Sequence, residues 1–572
     1  MLNYDKCKIT MLKNLGQLKY SNKEKELKIS LKELKFGTNF FESLIIYQDN
    51  SSIKIYDRRC DHAGGKIISK DGNAICPIHM WKFNPATGFY DNGVKKKEVK
   101  YLIDKNFIKI NNISYVPEID KIKKKLNTEI RFFNHAFLKI TGDDFSFSID
   151  PWAIGPAFNT GWWLAHSTKN DWIDQLNNSN FIYISHNHPD HLHPLTLSKI
   201  NKNIPIVVPN FVTKSTEMYI KDLGFKNIQV LDFNIQYNLE GTNLNISILK
   251  SGDFREDSGI YFSNGEFTGL LSVDSNMINF ERLPKVNFYG SSFASGASGY
   301  PLMFDNYKLE EQIKISLKDK NFLKKKLCDR LKKMSPDYFM PYAGFFIEKL
   351  KRDKKILRYN KKNLIDDYLK FCELNKIELL DVIKNDVYKF SGIKLINKKN
   401  IDIQVVRDLR PEKYLEYYKK EFAKIDENYI KDYFLKSNFK DNLLLYICLT
   451  NDSFKSLNKN YLINFSKKKI SFSKISKFTK SFLKKDPNLK KLVLKVRKES
   501  FLNTIYNKLP WEDLSIGFQC KVLRNPNLYN VNFWHHFTNT YVASINVRSV
   551  TDCASCESLN HFFDNQIHQN YN

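Results

Sequence analysis

Two short loops each join a cysteine to a histidine: Cys60-x-His62 and, after thirteen intervening residues, Cys76-x-x-His79. The chain holds nine cysteines and twelve histidines in 572 residues, so two such pairs this close together point to a shared bound group. Gly64, Gly65 and Pro77 lie in the same loops and permit tight turns of backbone around it. An iron–sulfur cluster with two thiolates on one iron and two imidazoles on the other takes this donor set. A structural zinc ion also accepts two Cys and two His, although zinc patterns usually pair like with like, and here each loop supplies one of each. A disulfide framework fits poorly, because the cysteines are odd in number and scattered, as expected in a reducing compartment.

The surrounding pattern sets the fold class. From about 25 to 118, short β-type runs such as "LIIYQDNSSIKIYDRR" alternate with turn residues, which predicts a small all-β domain. A lysine-rich stretch at 118–128 reads as a linker, and beyond it apolar strands ("FIYIS", "IPIVV") alternate with helix-like segments. Within 308–334, Phe322, Leu323, Leu327, Leu331 and Met334 share one helical face. The expectation is a multidomain α+β protein: an all-β domain over 1–118, an α/β domain over 128–360 and a C-terminal α+β region over 361–572. No apolar run approaches the roughly 18 residues of a membrane span, and the N-terminus lacks the apolar centre of a secretory signal. The expected location is the cytoplasm, with no membrane span. The formal charge of +28 comes from lysine spread along the whole chain, without a recognisable nucleic-acid module, so no nucleic-acid partner is expected. An acidic redox partner or an anionic small substrate suits that surface better.

A second constellation follows the strand "FIYIS": "ISHNHPDHLH" packs His186, His188, Asp190, His191 and His193 into ten residues. At a strand's end such donors can converge on a metal, with Asp190 and His191 serving a neighbouring position or orienting the first donors.

These motifs carry resemblances. The two Cys/His loops, followed by "HMWKF", resemble a Rieske [2Fe-2S] domain, which implies Cys60, His62, Cys76 and His79 as cluster ligands. The His-x-His-x-Asp-His run, with "NHAFLKI" around His135, "SIDPW" around Asp150 and "LLSVDS" around Asp274, resembles the metallo-β-lactamase superfamily and implies its αβ/βα sandwich. One departure matters. The chain has no histidine between His193 and His535, and the loop "SGDFREDSG" at 251–259 offers only Asp253, Glu256 and Asp257, so a complete two-zinc hydrolase site is not expected. Histidines plus a carboxylate, with Asp274 as first candidate and Asp190 as rival, fit a mononuclear non-haem iron instead.

A cluster that passes single electrons and a non-haem iron that needs them suggest a monooxygenase using O2. Over nearly the full length, "DPWAIGPAFNTGWWLAH", "YISHNHPDHL", "SSFASGASGYPLMF", "PYAGFF" and "WEDLSIGFQCKVLRNPNLYNVNFWHHF" resemble the CMP-N-acetylneuraminate hydroxylase family. The resemblance implies hydroxylation of the N-acetyl methyl group of CMP-N-acetylneuraminate. It also implies electrons from an NAD(P)H-dependent reductase through cytochrome b5 or a ferredoxin. Three alternatives stay open: a lactonase- or phosphodiesterase-type hydrolase with the Rieske domain as redox sensor, an electron-transfer or scaffold protein, and a hydroxylase of another nucleotide-linked N-acetyl sugar. Trp152, Trp162 and Trp163 are candidate pocket walls, whereas His535, His536 and the Cys553/Cys556 pair are expected to be incidental.

Overall fold

Alternation along two short strands fixes the central layers. In Phe181–Tyr183 and Ile206–Pro209, Phe181, Tyr183 and Val207 enter one buried core while Ile182, Ile206 and Val208, with Ile184 just past the first strand, enter another. Successive side chains point to opposite faces of a sheet, so a continuous apolar run here means a sheet covered on both sides. The computed structural model describes residues 7–14, 19–20, 27–41, 44–58, 60, 67–70, 72–76, 81–91, 95–110, 113–114, 124–211, 213–233, 235–251, 256–275, 278, 285–479, 482–483 and 488–539.

Two eight-stranded sheets form the centre. One holds Phe181–Tyr183 and Ile206–Pro209 beside Ser146–Ile149, Phe137–Gly142 and Asn127–Asn134; the other runs through Leu244–Lys250, Ser258–Asn264, Phe267–Leu271, Phe288–Ser291 and Tyr338–Pro341. Their facing sides merge in one core that includes Ile140, Phe147, Tyr183, Ile246, Phe262 and Phe288. The helix Leu309–Met334 buries Leu327, Leu331 and Met334, as the periodicity predicts, while Phe322 and Leu323 are only half-buried. On the far side, Trp172, Leu176 and Ile220 cover the outer face of the first sheet. This is the expected αβ/βα sandwich.

Its limits lie outside the expected 128–360. Strand Ile9–Asn14, read as part of the N-terminal domain, pairs with Ile235–Leu239 at the sandwich edge. Val387–Ser391 pairs with Asn127–Arg131, Lys394–Lys399 adds beyond it, and Glu378–Leu379 joins the other sheet. The pairings of Ile9–Asn14 and of Val387–Ser391 each span over two hundred residues, which local periodicity does not record.

The N-terminal domain is all-β, with antiparallel groups Gly37–Phe40/Leu44–Gln48/Ile53–Asp57 and Ile68–Lys70/Asn73–Ile75/Lys82–Asn84/Phe89–Tyr90. The C-terminal region forms a five-stranded sheet around Leu443–Thr450, all eight of whose residues are buried. Helices including Pro411–Glu421, Glu427–Leu435, Lys498–Tyr506 and Val531–Asn539 join it through an aromatic core of Phe434, Phe465, Trp511, Phe533 and Phe537.

This region docks on the loop 157–162 of the sandwich. Trp162 Nε1 donates to the Ile516 carbonyl (3.1 Å), and Asn503 Nδ2 and the Tyr418 hydroxyl both donate to Asn159 Oδ1 (2.6 and 3.0 Å). Gly161 and Gly517 let the two backbones touch: a Cβ on Gly161 would lie 2.0 Å from the Gly517 oxygen. Phe158, Asn159 and Thr160 hold positive φ in succession (50°, 53° and 71°), a conformation that persists only where neighbours impose it. Two ion pairs tie the same seam, Arg497–Asp353, fully buried, at 2.7 Å and Arg352–Asp452, half-buried, at 2.7 Å.

Candidate metal centre

The His-x-His-x-Asp-His segment leaves strand Phe181–Tyr183 where the first sheet ends, and Asp150 leaves the neighbouring parallel strand Ser146–Ile149. Asp150 organises the start of that segment. Its carboxylate accepts from the Ser185 backbone N–H (2.8 Å), the Ser185 hydroxyl (2.6 Å) and His191 Nδ1 (2.9 Å). Because the Ser185 hydroxyl donates to Asp150, its oxygen is left to accept from His186 Nδ1 at 2.9 Å. Both rings are thereby turned so that their Nε2 atoms face inward. His188 is held from its other side: Nε2 lies 3.4 Å from Glu512 Oε2, and Nδ1 lies 2.9 Å from His186 Nε2.

Carboxylates close the ring of donors. Asp190 Oδ2 sits 3.3 Å and Asp274 Oδ2 3.6 Å from His191 Nε2, and Asp190 also meets His135 Nε2 at 3.0 Å. Three overlapping triads have all donor atoms within 4.8 Å of one another: His186/His188/Asp257, His186/His191/Asp274 and His135/Asp190/His191. His135, Asp150 and Val273, the residue before Asp274, all hold positive φ (40°, 42° and 50°), backbone strain of the kind concentrated at functional sites.

The electrostatics favour a cation. Burial, with His191 and His188 beside it, pushes His186 well below the ordinary imidazole range, so its lone pair is available. Burial alone would lower His188 as well, but the Glu512 hydrogen bond and charge, with Asp257 and Asp190, raise it to about 9. Burial opposes ionisation of Asp274, yet His191 and His186 hold it down at about 2. His191 and its neighbours hold Asp190 well below the usual carboxylate range despite its burial. Burial, with Asp190 and Glu512 nearby, pushes Asp513 well above the usual carboxylate range. His135 Nδ1 and Asp190 Oδ1 are buried with no hydrogen-bond partner, whereas buried polar atoms ordinarily find one. A metal ion suits these atoms. Inward-facing imidazole nitrogens whose outer nitrogens are held by hydroxyl and carboxylate groups are the donor arrangement of a metal site.

All five residues expected from the sequence, His186, His188, Asp190, His191 and Asp274, come together here, so Asp274 and Asp190 are not exclusive choices. His193 stands apart: its Nδ1 meets Thr196 Oγ1 (2.9 Å), its Nε2 meets the Pro156 carbonyl (3.2 Å), and burial lowers it to about 4. Of the loop 251–259, Asp257 joins a triad, Glu256 instead accepts from the Thr213 N–H (2.9 Å), and Asp253 lies outside the described residues. Trp152 and Trp162 pack 5.2 and 6.5 Å from the His135 ring, whereas Trp163 belongs to the C-terminal core beside Tyr414. His536 is buried and meets the Ser437 carbonyl at 2.9 Å, a structural contact. His135, Asp150 and Glu512 were not read from the sequence as site residues. The first two lie in stretches quoted only for their strands; Glu512 lies in a stretch quoted only for the family resemblance, 324 residues from His188.

In the N-terminal domain, Cys60 and Cys76 are buried (2% and 0% exposed) in one cluster with Ile45, Tyr56, Ile67, Phe83 and Tyr90. Thiolates brought together in an apolar setting suit an iron–sulfur cluster. The expected partners His62 and His79 lie outside the described residues.

Comparison with known proteins agrees with both halves. The Rieske [2Fe-2S] domain family matches residues 18–102, and the beta-lactamase superfamily domain matches residues 129–253. The cytidine monophosphate-N-acetylneuraminic acid hydroxylase of Xenopus laevis is 30% identical over 558 residues, covering 89% of this chain and 90% of the relative. The chain belongs to the cytidine monophosphate-N-acetylneuraminic acid hydroxylase family. Two further hydroxylases of that name, from Macaca mulatta and Mus musculus, are 29% and 28% identical and are matched over 92% and 93% of their own lengths. Membership of the hydroxylase family therefore extends across the Rieske domain, the sandwich and the C-terminal region together. Among the described residues no helix is long and apolar enough to cross a membrane.

Proposed function

We propose that the protein hydroxylates the N-acetyl methyl group of CMP-N-acetylneuraminate to the N-glycolyl form, with O2 and electrons relayed by a Rieske cluster. The observation that carries this reading is the presence, in one chain of the hydroxylase family, of two buried cysteines in a Rieske domain and a histidine–carboxylate cluster that lacks the usual downstream imidazole of a hydrolase. Cys60 and Cys76, with His62 and His79, would hold the cluster. A non-haem iron, mononuclear on this reading, would take its donors from His186, His188, His191, Asp190, Asp274 and Asp257. Together the two groups supply single-electron transfer and O2 activation, which an unactivated C–H bond requires and acid or base catalysis does not provide.

The protein's own share is positioning and exclusion of water. Asp150 and Ser185 fix the tautomers of His191 and His186, and Trp152 and Trp162 wall the His135 side with buried aromatic surface. The balance is one oxygen atom entering the C–H bond and one leaving as water, with two electrons and two protons supplied. The electrons come from an external donor, cytochrome b5 or a ferredoxin reduced by an NAD(P)H-dependent reductase; the basic surface suits an acidic carrier.

The test is product mass after incubation of the purified chain with CMP-N-acetylneuraminate, a reduced donor and O2. Gain of one oxygen atom is expected, with none in an anaerobic reaction. Turnover that proceeds without O2 and reductant would replace this reading by a hydrolase. Equal turnover of another nucleotide N-acetyl sugar would remove the substrate assignment.

A further inference from the structure

Of the three imidazoles that face one another, two are oriented from within the sandwich, His186 by Ser185 and His191 by Asp150. The third is oriented from the C-terminal region. Glu512 Oε2 lies 3.4 Å from His188 Nε2, with both side chains largely buried (18% and 15% exposed). Glu512 is itself held. Its Oε1 accepts from the Tyr529 hydroxyl (3.1 Å), and its N–H donates to Thr538 Oγ1 (3.3 Å). The preceding Trp511 is fully buried and donates from Nε1 to the Tyr433 hydroxyl (2.7 Å). The next turn of chain is the one whose Ile516 carbonyl and Gly517 backbone meet Trp162 and Gly161. Glu512 is therefore anchored in the C-terminal core and held against the site beside a close backbone approach of the two regions.

We propose that Glu512 is a positioning residue of the metal centre. By accepting the Nε2–H of His188 it keeps that ring with Nδ1 facing His186, so that docking of the C-terminal region is part of what gives the centre its affinity for metal. The inference rests on the reading of this cluster as a metal site. An acceptor on the far nitrogen fixes both tautomer and ring direction, and carboxylates in this place elsewhere raise ligand basicity. Asp150 does the same for His191 from the opposite side, at 2.9 Å. The centre is thus oriented by one carboxylate from each of two regions, and the C-terminal region, to which the sequence assigned no role, acquires one.

The test uses the full chain with its iron–sulfur cluster in place, stripped of the second metal by a chelator and titrated with Co2+, whose visible spectrum reports coordination directly. Glu512→Ala is expected to weaken Co2+ binding by about ten- to a hundredfold, the range for loss of such an orienting partner, and to alter the bound Co2+ spectrum. Glu512→Gln keeps an acceptor for His188 and should fall between wild type and Ala. Thermal melting of the metal-free variants separates orientation from folding: little change in melting beside a large change in affinity is expected. Wild-type affinity in Glu512→Ala, a Gln variant as weak as Ala, or a loss of affinity only in step with a loss of melting temperature would overturn the proposal. Failure of wild type itself to bind Co2+ would instead remove the metal reading on which it stands.

Discussion

Replacing Gly161 by alanine tests how the C-terminal region and the site depend on each other. The added Cβ would stand 2.0 Å from the Gly517 oxygen and 2.6 Å from its carbonyl carbon and Cα. Carbon and oxygen in contact normally stay at least ~3.3 Å apart, so one backbone must retreat by roughly 1.3 Å. Neither side yields freely, because Phe158 to Thr160 are strained and Gly517 is tied through its N–H to the Asp513 carbonyl at 3.0 Å. Overpacking of this kind costs about 1–3 kcal/mol. The same retreat displaces the turn that carries Glu512, and misplacement of about 1 Å at a positioned group can cost ~10²-fold in rate. We expect Gly161→Ala to fold with a lowered melting temperature, to keep its cluster spectrum, and to lose hydroxylation far beyond its loss of stability. Calorimetry, visible spectroscopy and product mass on one preparation measure all three. Wild-type turnover with wild-type melting would show that the seam has slack and that the reasoning from contact distance is wrong.

Individual residues give further expected outcomes. His79→Ala should abolish Rieske-type absorption and EPR, and a spectrum like wild type would take His79 out of the ligand set. His188→Ala should retain the cluster spectrum and lose turnover, and Asp257→Ala should lower second-metal content because it completes the triad with His186 and His188; normal metal content in both would dissolve that triad. Arg497→Met takes from Asp353, 1% exposed, its partner at 2.7 Å while Arg352 Nε stays 3.6 Å from the other carboxylate oxygen, so the destabilisation is expected to fall below the about 3–5 kcal/mol of a buried pair broken with no second cation. A variant that melts like wild type would show that Asp353 is neutralised by other means.

What could be read from the sequence divides by distance along the chain. The Cys60 and Cys76 loops and the run from His186 to His191 place their donors within a few residues of each other, so pattern alone exposed them. The apolar runs at Phe181–Tyr183 and Ile206–Pro209, set between helix-like segments, likewise announced an α/β domain, and the face of the helix Leu309–Met334 came from its period. Other features depend on tertiary pairing. Asp257 was in view as one of three acids, but only the return of strand Ser258–Asn264 beside the histidines distinguishes it from Glu256. His135 is brought in by a backbone turn of positive φ, which histidine does not advertise. The domain limits shifted for the same reason: Ile9–Asn14 and Val387–Ser391 look like any other strands until their partners are known.

A gene shortened to end after Lys399, where the first sheet of the sandwich is complete, would still encode every residue proposed here to bind iron. It would nonetheless leave Trp162 and the strained loop beside it bare to solvent, with His188 unsupported. Attempts to engineer a minimal catalyst from the Rieske domain and the sandwich alone should therefore yield a protein that keeps its cluster, holds the second metal weakly and gives no hydroxylated product.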